Sequence, residues 1–227
     1  MRKPGRLAPG GGDFTRRLLL EAGIWEKMRV LHLGDGGGEM SGLLRSLVGE
    51  RGSVVAVEPR EETLLNLPAS LNEFDAIVGR RVLMYLADPV EAVRRLAERL
   101  KPGGRMILQE MDLSMGPARL LPLPLHQRAH GWLRDIVRLE GRDLHKTLTQ
   151  AGLTVEGVRA EAIVQTPGQP GLLADIVEAA LPRILQQGVA SAEEVGLHSL
   201  RTRLDAERVE AGATFIGDMM FGAWARA

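Results

Sequence analysis

Four glycines fall within the five positions 34–38, directly after the apolar residues Val30, Leu31 and Leu33 in the stretch MRVLHLGDGGG (28–38). A short apolar run of this kind reads as a strand buried on both faces, and the glycines read as a turn that must keep positive φ open. Leu43, Leu44, Leu47 and Val48 then recur at helical spacing, so the turn joins a strand to a helix N-terminus. Unpaired N–H groups and the helix dipole at such a junction favour an anionic or electron-rich ligand. Missing Cβ atoms let that ligand approach the backbone. The turn, with Gly34, Asp35, Gly36 and Gly38, is therefore the first candidate binding element.

The glycine spacing is Gly-x-Gly-x-Gly. A dinucleotide fingerprint needs a glycine at its sixth position, where this chain has Glu39 counted from Gly34, or Ser41 counted from Gly36. Next, Ser53–Pro59 (SVVAVEP) reads as a second strand ending in an acid, Glu58. Phe74–Val78 (FDAIV) reads as another strand, running into Arg80 and Arg81. Asp88, Pro89 and Glu91 set up a capping box, followed by a stripe of Val90, Val93, Leu96, Ala97 and Leu100. Lys101–Gly104 (KPGG) reads as the stop of that helix, and Arg105–Gln109 as the next strand.

In this order the motifs resemble the class I S-adenosylmethionine-dependent methyltransferases. Motif I of that family is usually hydrophobic-Leu-Asp-hydrophobic-Gly-x-Gly-x-Gly, and Phe-Asp, Asp-Pro and Lys-Pro-Gly-Gly recur in its fourth and fifth strand region. The likeness runs from about Phe14 to Glu110, and the GRRVLMY stretch (79–85) is similar to bacterial small-molecule methyltransferases. The resemblance implies an α/β, Rossmann-like doubly wound sheet, mostly parallel, with an antiparallel final strand at Phe215–Trp224. It implies S-adenosylmethionine as cofactor, held by Gly34, Asp35, Gly36, Gly38 and Glu58. Arg80 and Arg81 are placed either to pair with the methionine carboxylate or as surface arginines.

The chain departs from the family at two points. His32 stands where the motif usually has an acid, and a neutral imidazole does not carry that charge. Only fifteen residues separate Glu58 from Phe74, whereas a helix plus a third strand and its loop need roughly forty, since a βαβ unit alone takes ~30. The third, edge strand is therefore expected to be missing or vestigial, which leaves the core intact and bares the second strand to a second protomer or a partner chain.

The rest of the chain is read as one domain over 13–227, with a flexible lead-in at 1–12 and a lid insertion at about 112–141. Helices are expected from Asp13 or Thr15 through Glu21, with Leu18, Leu19 and Leu20 turned inward, and over His126–Leu139, Asp143–Ala151, Pro170–Gln187 and Val195–Leu204. A sixth strand is expected at Val155–Val164, and a second capping box at Ser191 and Glu194. With 29 basic and 29 acidic residues the net charge is zero, and aromatics are only 4%, which disfavours nucleic acid as a partner. No apolar run reaches membrane-spanning length, and the absence of cysteine removes disulfides and thiolate chemistry and suits the cytoplasm.

For methyl transfer, positioning supplies most of the acceleration, and only a poor nucleophile needs a base. The candidates for that role are Glu110, at the end of its strand, and His126 and His130, one helical turn apart. Two histidines without a third ligand do not make a metal site, so none is expected. Met115, Leu121–Leu125 and Trp132 suit an apolar acceptor pocket. The leading reading is methylation of an O, N or C nucleophile on a small, fairly apolar metabolite. The alternative keeps the fold and loses the transfer, as a partner subunit or a cyclase-like protein.

Overall fold

The computed structural model describes residues 11–34, 36–115, 123–167, 171–212 and 214–227. The chain clusters into two compact units. The first comprises the chain up to Glu110, Arg138–Glu161 and Phe221–Ala227; the second comprises Met111–Val137 and Ala162–Met220.

The first unit opens with α1 (Gly11–Glu21), so Gly11 and Gly12, expected in the lead-in, belong to a helix; residues 1–10 lie outside the described residues. Leu18 and Leu19 are buried, but Leu20 points outward at 45% exposure. Three consecutive residues span too wide an arc for one buried stripe. Strand β1 (Arg29–Leu33), α2 (Glu39–Val48) and β2 (Ser53–Val57) follow as the alternation of apolar runs and glycines dictates. The region between Glu58 and Phe74 holds only α3 (Glu61–Leu65) before β3 (Phe74–Arg80). No third strand forms in this segment among the described residues, in keeping with its fifteen-residue length.

Helix α4 (Pro89–Ala97) starts at Asp88, whose carboxylate accepts the Glu91 N–H at 2.9 Å. Only half of the expected capping box forms, because the Glu91 carboxylate is taken by Arg94 and Arg95. Asp88→Ala should cost about 1 kcal/mol, read as a lowered urea midpoint with an unchanged slope.

Strand β4 (Leu100–Asp112) corrects the reading of Lys101–Gly104. These residues lie within the strand rather than ahead of it. Phe74 pairs with Leu100 and Ala76 with Arg105, so the KPGG segment is extra length bulging from the ladder. Asp75 explains why Phe-Asp and Lys-Pro-Gly-Gly travel together. Its carboxylate accepts the Arg29 N–H at 2.7 Å and the Lys101 ammonium at 2.6 Å, tying the start of β1 to the bulge. Burial pushes the Asp75 carboxyl up, but these two partners outweigh it and hold the pKa below its usual value.

The second unit contains α5 (Pro124–Ile136), where the lid was expected; residues 116–122 lie outside the described residues. After α6 (Leu144–Gln150) in the first unit comes β5 (Thr154–Gln165), which runs from the first unit into the second. The second unit continues with α7 (Leu173–Gln186), α8 (Ala192–Val195) and α9 (Leu197–Ala211). Ser191 and Glu194 form the expected reciprocal capping box. The helix it opens lasts one turn and breaks at Gly196, which is left-handed at φ 53°.

Strand β6 (Phe215–Arg226) completes a six-stranded sheet of order β2-β1-β3-β4-β6-β5. Pairings β1–β2, β1–β3 and β3–β4 are parallel. The final strand runs the other way. The Ala227 N–H reaches Gly104 O at 3.1 Å near the start of β4, whereas Phe221 and the Glu110 carbonyl both crowd Gly141. Apolar side chains cover both faces of this sheet, around Leu31, Ile77 and Leu108 on one side and Val30, Val78 and Ile107 on the other.

Candidate active site

Leu31 and Leu33 are buried on one side of β1 and Val30 on the other, which fixes where the strand ends and the chain must turn. At the turn, the Gly34 N–H donates to Val57 O at 2.8 Å, tying the glycine segment to the end of β2. Gly38 is the N-cap of α2, extended at φ −82° and ψ 171°, and has no side chain with which to cap the helix. α2 thus begins at this turn with the positive end of its helix dipole. Arg45, further along α2, returns to Gly36 O at 2.9 Å and steadies the turn.

His32 sits beneath this turn. Its ring is 3% exposed, and Nδ1 lies 2.8 Å from Ser41 Oγ on α2. A Cβ added to Gly34 would stand 2.6 Å from the ring, so glycine is required here by close approach. The imidazole thus fills the space under Gly34 and leaves the outer side of the turn open. Gly36 and Gly37 are exposed, and nothing lies within 4 Å of where a Gly37 Cβ would be. Asp35 lies outside the described residues.

Beside the turn is a cavity of about 180 Å³ whose walls include His32, Gly34, Gly38, Glu39, Arg80 and Arg81. It suits a group the size of an amino acid; whole ligands occupy ~300 Å³ or more. The half-buried Arg80 guanidinium has its Nε without a hydrogen-bond partner. Burial and the adjacent Arg81 charge push its pKa down to about 10, against the upward pull of Glu39, so it stays cationic at neutral pH. Arg81 is left-handed at φ 55° and donates its N–H to Gln109 O at 2.8 Å.

Glu58 is placed differently from its expected role. It is exposed, its carboxylate pairs with Arg60 at 2.8 Å, and it does not line the cavity; the next residue, Pro59, does. Glu110, also in the first unit, is completely buried and likewise not part of the cavity wall. Its Oε1 accepts the N–H groups of Val82 and Leu83 at 3.0 and 2.8 Å. Burial pushes its pKa up to about 7, against the pull of the Leu83, Val82 and Met84 N–H groups and of Arg81.

His126 and His130 belong to α5 in the second unit and are buried, at 3% and 6% exposure, rather than solvated on a lid surface. Nδ1 of His126 lies 2.7 Å from Oε2 of Glu207 on α9, and the same carboxylate accepts the Leu125 and His126 N–H groups. Burial tends to raise the Glu207 pKa, but these partners hold it below the usual value. The His130 pKa is pushed down to about 4 by burial and by His126, leaving the ring neutral at pH 7. Sequence reasoning missed Ser41 and Glu207; the latter is 81 residues from His126, and no local pattern marks such a pair. Among the described residues no cluster of three His, Asp or Glu side chains is placed to hold a metal, and no helix is long and apolar enough to cross a membrane.

A family model described as a methyltransferase domain matches residues 8–158. No curated protein matches the sequence. Among solved structures, a protein of Bacillus halodurans assigned as a methyltransferase is 17% identical with a TM-score of 0.55, over 92% of this chain and 96% of that one. Phosphoethanolamine N-methyltransferase 2 of Haemonchus contortus, solved with phosphomonomethylethanolamine and S-adenosylhomocysteine, is 15% identical with a TM-score of 0.55, over 98% and 54%. The [4+2]-cyclase SpnF is 14% identical with a TM-score of 0.52, over 99% and 85%. Identities this low show a shared fold, and that fold hosts more than one chemistry.

Proposed function

Since the chain belongs to the methyltransferase-domain family and uses S-adenosylmethionine, we propose that it methylates an O, N or C nucleophile on a small, fairly apolar metabolite in the cytoplasm. The observation that carries the site assignment is the Arg80 Nε left without a hydrogen-bond partner in the wall of a cavity beside the glycine-led N-terminus of α2. Both features suit a carboxylate, and the cavity volume suits the amino-acid end of the cofactor rather than the whole molecule.

On this reading Arg80, helped by the positive end of the α2 dipole, holds the methionine carboxylate. Gly36 and Gly38 let the ligand lie against the backbone. The open side of the turn, toward Pro59 and Glu58, takes the ribose; Glu58 turns from Arg60 to the hydroxyls, a change of partners open to an exposed ion pair worth under ~1 kcal/mol. When bound, the cofactor supplies an electrophilic methyl group on a sulfonium. The chain's part is to hold that group in line with the acceptor and keep water away. The balanced charge and low aromatic content favour a small acceptor over a nucleic acid.

Calorimetric titration with S-adenosylhomocysteine, followed by a labelled-methyl assay on extracts of small metabolites, tests the reading. Saturable binding and label in a small organic product are expected. No heat at millimolar ligand would remove the site. Binding without transfer to any acceptor would instead fit the second reading, a partner subunit or cyclase-like protein; its motivation is His32 at the usual acid position and Glu58 facing Arg60.

A further inference from the structure

A fully buried carboxylate is expensive unless its oxygens are satisfied, and Glu110 is satisfied at only one of them. Oε1 takes the Val82 and Leu83 N–H groups, while Oε2 has no hydrogen-bond partner. Those two N–H groups belong to the segment that leaves β3 and enters the 3-10 turn Leu83–Tyr85. Immediately before them stand Arg80 and Arg81, both in the cavity wall.

Arg81 is gripped as well. Its N–H is taken by Gln109 O, and its backbone is held left-handed, a conformation that costs an L-residue with a Cβ and persists only where neighbours impose it. Two consecutive residues of β4, Gln109 and Glu110, therefore fix three consecutive residues, 81–83, at the exit of β3. Gln109 is anchored in turn, its Oε1 accepting Thr15 Oγ1–H of α1 at 2.9 Å.

We propose that Glu110 is a positioning residue for the cofactor cavity and not the catalytic base: its carboxylate clamps the exit of β3 so that Arg80 and Arg81 face the cavity. It touches neither cavity nor ligand, and acts through the backbone of Val82 and Leu83. The proposal rests on the reading that this cavity receives the cofactor.

Two conservative variants separate reach from charge. Glu110→Gln keeps the reach of an acceptor oxygen and loses the ionisable group; Glu110→Asp keeps the carboxyl group and falls one methylene short. If the clamp is the role, Glu110→Gln binds S-adenosylhomocysteine within about threefold of wild type and Glu110→Asp binds about tenfold more weakly, the size expected for losing hydrogen bonds to a charged acceptor. Hydrogen exchange at the Val82 and Leu83 amides should follow the same order, fastest in Glu110→Asp. The opposite order, with Glu110→Gln binding normally but losing turnover while Glu110→Asp retains it, would mark a base and overturn the proposal. Unchanged exchange at these amides in Glu110→Asp would overturn it equally. Because exchange is read without ligand, failure of the clamp is distinguishable from failure of the cavity as cofactor site, which would show as no binding by the wild-type protein.

Discussion

Replacing Arg80 with methionine should weaken S-adenosylhomocysteine binding about a hundredfold, while the free protein becomes no less stable in urea. The two halves of this result come from one observation. The Arg80 side chain is half-buried with its Nε unpaired, and its pKa of about 10 keeps it charged at neutral pH. A desolvated cation lacking part of its hydrogen bonding burdens the free protein, and removing such a charge in favour of an apolar side chain of similar length is neutral or stabilising. A ligand carboxylate supplies the missing acceptor, and truncating one member of a buried, charge-assisted pair costs ~2–5 kcal/mol, which is about thirtyfold to several-thousandfold in affinity. Calorimetry and a urea titration on the same preparation read both halves. A variant that binds normally would show that the cavity holds something other than the carboxylate. One that loses stability in step with affinity would make Arg80 a structural residue.

The pH dependence of stability should be nearly flat in the wild-type protein between pH 4.5 and 6.5, and two single substitutions should each uncover a slope of opposite sign. Glu110 has a folded-state pKa of about 7 against an ordinary 4.5. A raised carboxyl contributes stability that is complete below pH 4.5 and is lost as pH rises through 7. His130 has a folded-state pKa of about 4 against 6.5, so its neutral burial contributes stability that is complete above pH 6.5 and is lost as pH falls through 4. Each shift corresponds to roughly 3 kcal/mol, and over the shared window the two slopes oppose each other. Glu110→Gln should therefore leave a protein whose stability rises by about 3 kcal/mol from pH 4 to 6.5, and His130→Gln one whose stability falls by a similar amount from pH 4.5 to 7. Urea unfolding of the whole chain across this range provides the comparison. A Glu110→Gln profile parallel to the wild type would place the proton elsewhere.

What the amino-acid order discloses, and what it withholds, follows from the range of the forces involved. The β1–glycine–α2 junction and the Asp88 cap were legible because each is decided within one or two helical turns. The missing strand was legible by length alone, since fifteen residues do not hold two elements. The bulge at Lys101–Gly104 was not. Proline and glycine break a helix and kink a strand alike, and only Asp75, bridging Lys101 and the start of β1, selects the second outcome. Gly196 likewise reads as an ordinary helix residue until its left-handed conformation divides α8 from α9. At the site, the glycines and arginines were found by motif, but the settings of Glu58, Glu110 and His126 depended on Arg60, on the Val82 and Leu83 amides, and on Glu207. Two of those three partnerships join residues far apart in the chain, where spacing carries no signal.

The early end of the sheet has a cost in handling. β2 is its terminal strand, and its five residues, SVVAV, include no lysine, no proline and no charge of either sign, whereas β5 at the opposite margin carries Glu156, Arg159 and Glu161. Margins of the second sort repel stray chains; one of the first sort offers a row of peptide groups to any extended segment that drifts past. Concentrated stocks and refolding mixtures of this chain are where that asymmetry would be felt, as haze that dilution prevents.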